Sequence, residues 1–313
     1  MKKIVTALLL ILVLALPACA PAAAPPASPP AAEPAAEPAA GDQPDRKIVV
    51  SSKAHTEQYL LGEILALVIE NNTVYQVERK IGLNPASDII HTALLNGEID
   101  LYPEYTGTGW LNILGQEPLA DSAVMNERLQ EEYGKLGLWW SDLYGFNNTY
   151  ALTMRREQAE AEGFTQVSDL VGHPELIFGA NPDYMERADG YPGLAAAYGL
   201  NFAKTFEVDI ALKYAALDQE ECDVINGFST DAQLHLPQYA ILADDLEYFT
   251  AYYAATVCRL AALEEFPELA GALALLDGAI SEDEMIGMNY AVEVDQRDYE
   301  DVAREFLAGK GLI

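Results

Sequence analysis

The stretches HTALLNGEIDLYPEYTGTGW, residues 91–110, and YAALDQEECDVINGFSTD, residues 214–231, repeat one pattern. Each predicts a helix, a short strand and then a turn that carries an aromatic ring. We therefore expect two similar lobes, each with a loop at the carboxyl end of a strand, where open α/β sheets bind ligands. The copies share an Ala-Leu pair, an aspartate and an aromatic-hydroxyl pair at equal spacing: Ala93-Leu94 and Ala216-Leu217, Asp100 and Asp223, Tyr105-Thr106 and Phe228-Ser229.

Strand and helix signals alternate along the chain, which predicts an α/β fold. Apolar residues at helical spacing follow Thr56, which we expect to be the N-cap of the first helix. The first predicted elements are a strand at 47–52, a helix at 56–70, a weak strand at 74–80, a helix at 87–95 and a strand at 99–102.

The composition is strongly acidic. The 313 residues include 18 Lys and Arg against 49 Asp and Glu, a formal net charge of −31. This argues against nucleic acid as a partner, since nucleic acid requires a basic face. It also argues against binding to anionic lipid through a polybasic patch.

The first residues predict export. Lys2 and Lys3 precede an apolar stretch, residues 4–16, that is too short and poorly flanked for a transmembrane helix. Small residues then precede Cys19, which resembles the lipobox of bacterial lipoproteins and predicts a signal peptide over 1–18 and a lipid on Cys19. An ordinary signal peptide cut at Ala18 or Ala20 is the alternative.

Residues 19–45 predict a tether. Beyond Cys19 they are almost wholly Ala, Pro and Glu, a composition that cannot bury apolar area and stays extended. At ~3.1 Å per residue the segment could reach about 80 Å. We expect a folded body outside the cytoplasm from about Arg46 onward.

Motifs for catalysis and metal binding are missing from the sequence. His55, His91, His173 and His235 are scattered, so no ligand spacing predicts a metal or cofactor. The stretch at 227–231 approaches the nucleophile elbow of hydrolases and fails at its last position. We expect no enzyme, and a secreted hydrolase is the alternative from another class.

Cys222 and Cys258 leave two interpretations open. Two cysteines in an exported protein could form a disulfide. Each also lies beside an apolar run, where a small buried thiol fits equally well.

The aromatic turn over 101–110 suits a particular ligand class. A quaternary ammonium ion has no N–H to donate, and ring faces attract it through their quadrupole. On this interpretation the rings serve a ligand and do not build core. Gly107 and Gly109 would then supply a tight turn by adopting positive φ.

Several motifs resemble the substrate-binding proteins of ABC importers for glycine betaine, choline, carnitine and related osmoprotectants. The resemblance covers residues 47–313. It implies a two-lobed periplasmic-binding-protein fold, type II-like, with a ligand cleft between the lobes, no catalysis, and a membrane permease as partner. The motifs are, in order, SSKAHTEQYLLGEI, HTALLNGEIDLYPEYTGTGW, NNTYAL, ERADGYPGL, INGFSTD and EDVAREFLAGKGLI.

The family's aromatic box falls on four positions of this sequence. They are Tyr105, Tyr150, Phe228 and Tyr252. Phe228 stands where tyrosine is usual, which keeps the ring face and loses the hydroxyl. Tyr253 competes with Tyr252 for the fourth position.

The resemblance also implies a polar end of the site. Lys53 and Arg187 resemble residues that hold a betaine carboxylate, and Thr108 would add a hydroxyl. Gln58 and Asn148 match further pocket positions.

Motif order implies one lobe of residues 46–147 plus 253–313 and another of residues 148–252. We expect a monomeric, lipid-anchored protein that captures a quaternary ammonium solute, glycine betaine or proline betaine, and delivers it to the permease. Choline, carnitine or another polar solute in the same fold is the alternative. Choline lacks a carboxylate, so it would need no carboxylate clamp.

Overall fold

The computed structural model describes residues 46–119, 121–186, 190–209 and 212–313. The strands are β1 (Ile48–Lys53), β2 (Val77–Asn84), β3 (Leu101–Tyr105), β4 (Leu138–Asn147), β5 (Tyr150–Arg155), β6 (Ile177–Ala180), β7 (Lys204–Glu207), β8 (Val224–Phe228), β9 (Tyr239–Leu242) and β10 (Tyr253–Arg259). The α-helices are α1 (Thr56–Asn72), α2 (Ser87–Leu95), α3 (Ser122–Lys135), α4 (Arg156–Glu162), α5 (Pro182–Glu186), α6 (Tyr191–Tyr198), α7 (Lys213–Asp218), α8 (Leu260–Glu265), α9 (Leu269–Leu273), α10 (Glu282–Glu293) and α11 (Tyr299–Lys310). A π-helical segment at Thr108–Ile113 and 3₁₀ turns at Val167–Leu170, Ala232–His235 and Ala274–Leu276 complete the described elements.

The strands form two five-stranded sheets with the same topology. The first has the order β2-β1-β3-β10-β4, and the second has the order β7-β6-β8-β5-β9. In each, the first three strands run parallel and the fourth is antiparallel to the third. We call the part built on the first sheet the first lobe and the part built on the second sheet the second lobe.

Asp100 anchors the start of β3. Its backbone N–H donates to Val49 O at 2.8 Å. Its carboxylate accepts from Val49 N at 2.9 Å and from the guanidinium of Arg259 at the end of β10. The carboxylate thus ties three adjacent strands together.

Asp223 has the same contacts at the start of β8. Its N–H donates to Ile177 O at 2.8 Å. Its carboxylate accepts from Ile177 N at 2.8 Å and pairs with Arg155, at the end of β5, at 3.3 Å. The internal repeat in the sequence therefore corresponds to one structural unit present in both lobes.

Each lobe has its own apolar core. In the first lobe, Leu61 and Ile64 of α1 pack with Met285 of α10 and Leu307 of α11. The second core is formed by β5, β6, β8 and α6, through Leu152, Phe178, Val224 and Leu194. The C-terminal helices thus complete the core of the first lobe.

Two sequence predictions about local structure are wrong. The N-cap of α1 is His55, which makes no capping side-chain hydrogen bond, and Thr56 is already helical. The stretch over 101–110 does build core: Tyr102 and Trp110 are buried and belong to an apolar cluster with Trp140. All five residues of β3 are buried, so this strand has no solvent-facing side.

The chain crosses between the lobes at 147–150 and 242–253. The two crossings lie side by side: Asn148 N donates to Tyr252 O at 3.0 Å, and Tyr252 N donates to the Asn147 side chain at 2.7 Å. Hydroxyls at the strand ends hold both crossings. Thr106 accepts from the backbone N–H of Tyr253 at 3.0 Å.

Ser229 makes the corresponding contact in the second lobe. Its hydroxyl accepts from Thr149 N at 3.0 Å and donates to Asn147 O at 2.6 Å. The aromatic-hydroxyl pair of the repeat thus places a ring at the end of each sheet and a hydroxyl on each crossing.

Candidate ligand-binding cleft

A cleft of about 860 Å³ lies between the lobes and is lined by residues from both. This volume is in the range of small-molecule sites in proteins. The lining combines rings, amides and charged groups: Lys53, His55, Thr56, Glu57, Tyr59, Tyr105, Thr108, Asn112, Asn148, Tyr150, Lys213, Tyr214, Phe228, Thr230, Asp231, Ala232, Gln233, Tyr252, Asn289 and Glu293.

Three of the four predicted box rings lie together. Tyr150 and Phe228 are register partners on β5 and β8, and their rings stack with centroids 5.2 Å apart. The ring of Tyr252 meets Tyr150 edge-on at 6.4 Å. Adjacent strands of the second sheet and one crossing therefore build a continuous aromatic wall.

Gly107 gives Tyr252 its space. A Cβ built on Gly107 would lie 2.6 Å from the Tyr252 ring, which is too close for a side chain. The prediction that the glycines adopt positive φ is wrong, since Gly107 has a φ of −60° and Gly109 is not among the described residues with positive φ. Both allow close approach instead, with Gly109 packing against Trp140.

Tyr105, at the end of β3, forms the first-lobe side of the cleft. It is 5% exposed, and its hydroxyl donates to Glu57 at 2.6 Å. The ammonium of Lys53 lies 4.6 Å from the centre of its ring. Tyr105 is thus fixed at both its hydroxyl and its ring.

Lys53 already has an internal partner. Its ammonium lies 2.5 Å from Oε1 of Glu104, and both side chains are buried. Ser87 also lies within hydrogen-bond distance of the ammonium, at 3.3 Å. A ligand carboxylate at Lys53 therefore has to share this cation with Glu104.

The other predicted polar residues differ in position. Thr108 and Asn148 line the cleft. Gln58 is fully buried, is not a lining residue, and accepts from the backbone N–H of Lys53 at 3.3 Å. Arg187 and Cys19 lie outside the described residues.

Glu57 is a site residue that we did not predict. It is 4% exposed and also accepts from Asn148 at 2.8 Å and Asn289 at 3.0 Å. Burial raises the pKa of Glu57, while hydrogen bonds from Tyr105, Thr230, Asn289 and Asn148 oppose this. The signal was its position between Thr56 and Gln58 in a motif that we assigned to the pocket.

Lys213 and Asp231 form a second unpredicted feature. The Lys213 ammonium lies 2.7 Å from Asp231 Oδ2 and 4.6 Å from the centre of the Phe228 ring. Lys213 stands before an apolar run of α7, where a lysine ordinarily marks an exposed helix end. No sequence signal distinguished it.

Other side chains bear on the remaining predictions. Cys222, just before β8, and Cys258, on β10, are buried free thiols, so they form no disulfide. Among the described residues, no group of three or more His, Cys, Asp or Glu side chains could hold a metal ion. In the same residues, no helix is long and apolar enough to span a bilayer.

Comparisons with known proteins agree on one family. The family model of the substrate-binding domain of ABC-type glycine betaine transport systems matches residues 46–309. The carnitine transport binding protein OpuCC of Listeria monocytogenes is 34% identical over 268 residues, which are 83% of this chain and 85% of that protein. A solved glycine betaine/carnitine/choline ABC transporter structure is 31% identical, with a TM-score of 0.80 over 85% of this chain and 99% of that chain.

A further relative is longer. The ergothioneine transport permease/ergothioneine binding protein EgtU of Helicobacter pylori is 37% identical over 272 residues, which are 86% of this chain. This chain spans only about half of that relative, 48% of its length. The matches confirm the family resemblance and the two-lobed α/β fold predicted from the sequence. This chain belongs to the family of substrate-binding proteins of ABC-type glycine betaine transport systems.

Proposed function

We propose that the protein captures a quaternary ammonium betaine in the cleft between its lobes and delivers it to the membrane permease of an ABC importer. The observation that carries this is the aromatic wall of Tyr150, Phe228 and Tyr252, with Tyr105 on the first-lobe side of the same cleft. A family of transport binding proteins supports the class of activity.

The wall suits the chemistry of the ligand. Each well-placed ring face contributes ~0.5–2 kcal/mol to binding a cation, and the rings also exclude water from its methyl groups. Four rings at the top of this range therefore contribute about 8 kcal/mol, the free energy of micromolar binding, with no salt bridge to the ammonium.

The carboxylate of the ligand would bind at Lys53, Thr108 and Arg187. Lys53 and Thr108 line the cleft. Because Lys53 pairs with Glu104, we expect it to contribute less than an unpaired cation. In the Lys53→Ala, Arg187→Ala double variant, betaine affinity should fall and choline affinity should not change.

Delivery requires that the ligand favour the closed form. A ligand shifts an open–closed equilibrium only by its difference in affinity for the two states, so it must contact both lobes. Tyr105 from the first lobe and Phe228 from the second allow this. We take residues 46–147 and 253–313 as one rigid lobe and 148–252 as the other.

The anchor belongs to the same proposal. A lipid on Cys19 and the tether over 19–45 would hold a monomer near its permease outside the cytoplasm. Mass spectrometry of the membrane-bound protein tests this, because a lipidated N-terminal Cys19 has a mass that no simple signal-peptide cleavage gives.

Calorimetric titration of the purified protein with glycine betaine, carnitine and choline tests the ligand class. We expect saturable micromolar binding of at least one carboxylated compound. Absence of binding by all three, and by ergothioneine in the same titration, contradicts the proposal.

Ergothioneine is a second candidate ligand. It is also a trimethylammonium betaine, with an added thioimidazole ring, and the relative named for it is 37% identical. Polar side chains that could meet such a ring line the cleft: His55, Asn112, Gln233 and Glu293. If ergothioneine binds at least tenfold more tightly than glycine betaine in the same titration, it is the preferred ligand.

A further inference from the structure

The cleft contains a buried cation on the second lobe that the family motifs do not explain. Lys213 is 3% exposed, and its ammonium lies 4.6 Å from the centre of the Phe228 ring. Phe228 is one of the rings that we propose to bind the ammonium of the ligand. A lysine side chain is rarely this buried unless it is paired with an acidic group or binds a ligand.

Its pairing is incomplete. The Lys213 ammonium lies 2.7 Å from Asp231, yet among the described residues no partner meets it with hydrogen-bond geometry. Asp231 itself accepts from Phe228 N at 2.9 Å and from the Tyr214 hydroxyl at 2.8 Å. If the ammonium turned toward a ligand, Asp231 would keep these two donors.

A second cation at the Phe228 ring would be repelled. The quaternary ammonium of a ligand and the ammonium of Lys213 carry like charges and would both lie close to the Phe228 ring. A ligand that brings a carboxylate offsets this repulsion, because the carboxylate can bind Lys213. A ligand without one cannot.

Lys53 and Lys213 each lie 4.6 Å from the centre of a box ring, but their hydrogen bonding differs. In the first lobe, Lys53 lies 2.5 Å from Glu104 Oε1 with hydrogen-bond geometry. In the second lobe, Lys213 lines the cleft, and among the described residues its ammonium N–H groups have no acceptor with hydrogen-bond geometry. A ligand carboxylate bound to Lys213 would also give the ligand a polar contact with the second lobe.

We propose that Lys213 determines ligand specificity: its ammonium joins Lys53 and Arg187 in binding the carboxylate of the ligand, and it excludes quaternary ammonium compounds that lack a carboxylate from the Phe228 ring. This rests on the proposed binding of a quaternary ammonium ligand.

Glycine betaine, carnitine and choline titrated against the full-chain Lys213→Gln variant test the proposal. Glutamine can still hydrogen-bond to Asp231 but carries no charge. We expect affinity for the carboxylated compounds to fall at least tenfold and choline affinity to rise or become measurable. Lys213→Arg, which keeps the charge, should retain the wild-type preference.

Lys204→Gln, at an exposed lysine of β7 in the same lobe, is the matched control and should change neither affinity. Thermal unfolding of each variant checks that it folds. Equal loss for choline and the carboxylated compounds, or no change, overturns the role of Lys213. A wild-type protein that binds neither these three compounds nor ergothioneine instead refutes the proposed function itself.

Discussion

The hydroxyl of Tyr105 lies 2.6 Å from Oε1 of Glu57, so a buried carboxylate on α1 holds the first-lobe ring of the cleft in place. The same carboxylate accepts from Asn148, on a crossing, and from Asn289, on α10. One side chain thus connects a site ring with the junction of the lobes.

Tyr105→Ala removes both the ring face and the bond to Glu57. We expect binding of the betaine to weaken tenfold or more, since loss of one cation–π contact removes about 1.4 kcal/mol. Tyr105→Phe keeps the ring and should lose less. Calorimetry measures both, with Tyr75→Ala, a ring outside the cleft lining, as control. An unchanged dissociation constant for Tyr105→Ala would exclude this ring from the site.

Gly107→Ala tests the aromatic wall by displacing the ring of Tyr252. Its Cβ would lie 2.6 Å from the ring of Tyr252, so the ring must shift and its contact with Tyr150 must loosen. We expect affinity to fall severalfold while the protein stays folded. Gly134→Ala, whose Cβ would meet no atom within 4 Å, should bind normally. Equal binding by both variants would show that Tyr252 does not contribute.

Asp100 gives the fold a dependence on pH. Burial alone would raise the pKa of this carboxyl, but hydrogen bonds from Arg46, Val49 N and Arg259 hold it below its usual value. Because the unfolded pKa is about 3.9, the stabilisation is complete above about pH 4 and is lost as the pH falls through the folded pKa.

Asp100→Asn should therefore lower the free energy of unfolding at neutral pH by about 2 kcal/mol, since it removes the charged acceptor of Arg46 and Arg259, which are both partly exposed. The difference from wild type should be smaller at an acidic pH below about 4, as the wild-type carboxyl becomes protonated. Urea unfolding at both pH values measures this, with the exposed Asp295→Asn as control. A difference that does not change with pH would contradict the assignment.

The repeat around Asp100 and Asp223 predicted much of the architecture, because strand, aspartate and ring follow from local spacing. The sheet order and the contacts of Arg259 and Arg155 could not be predicted, since they join residues 159 and 68 positions apart. The core role of Tyr102 was missed because β3 is buried on both faces and shows no alternation.

The residues of the candidate site were also predicted only in part. The box positions came from motifs, and Tyr105, Tyr150, Phe228 and Tyr252 all line one cleft. Glu57 and Lys213 were missed, because a charged residue at a helix start ordinarily faces solvent. Their burial depends on contacts with residues distant in the sequence, such as Asn289 at Glu57 and Asp231 at Lys213, which no local pattern records.

The paired crossings and their two hydroxyls limit how the lobes can move. Stretching the joint would break the bond between Asn148 N and Tyr252 O, and the lobes are also joined where Asn289 of α10 donates to Thr230 O at 2.9 Å. We expect bending at the crossings to be the easiest motion of the lobes. We expect the ligand-bound and ligand-free forms to differ mainly in the angle between the two lobes.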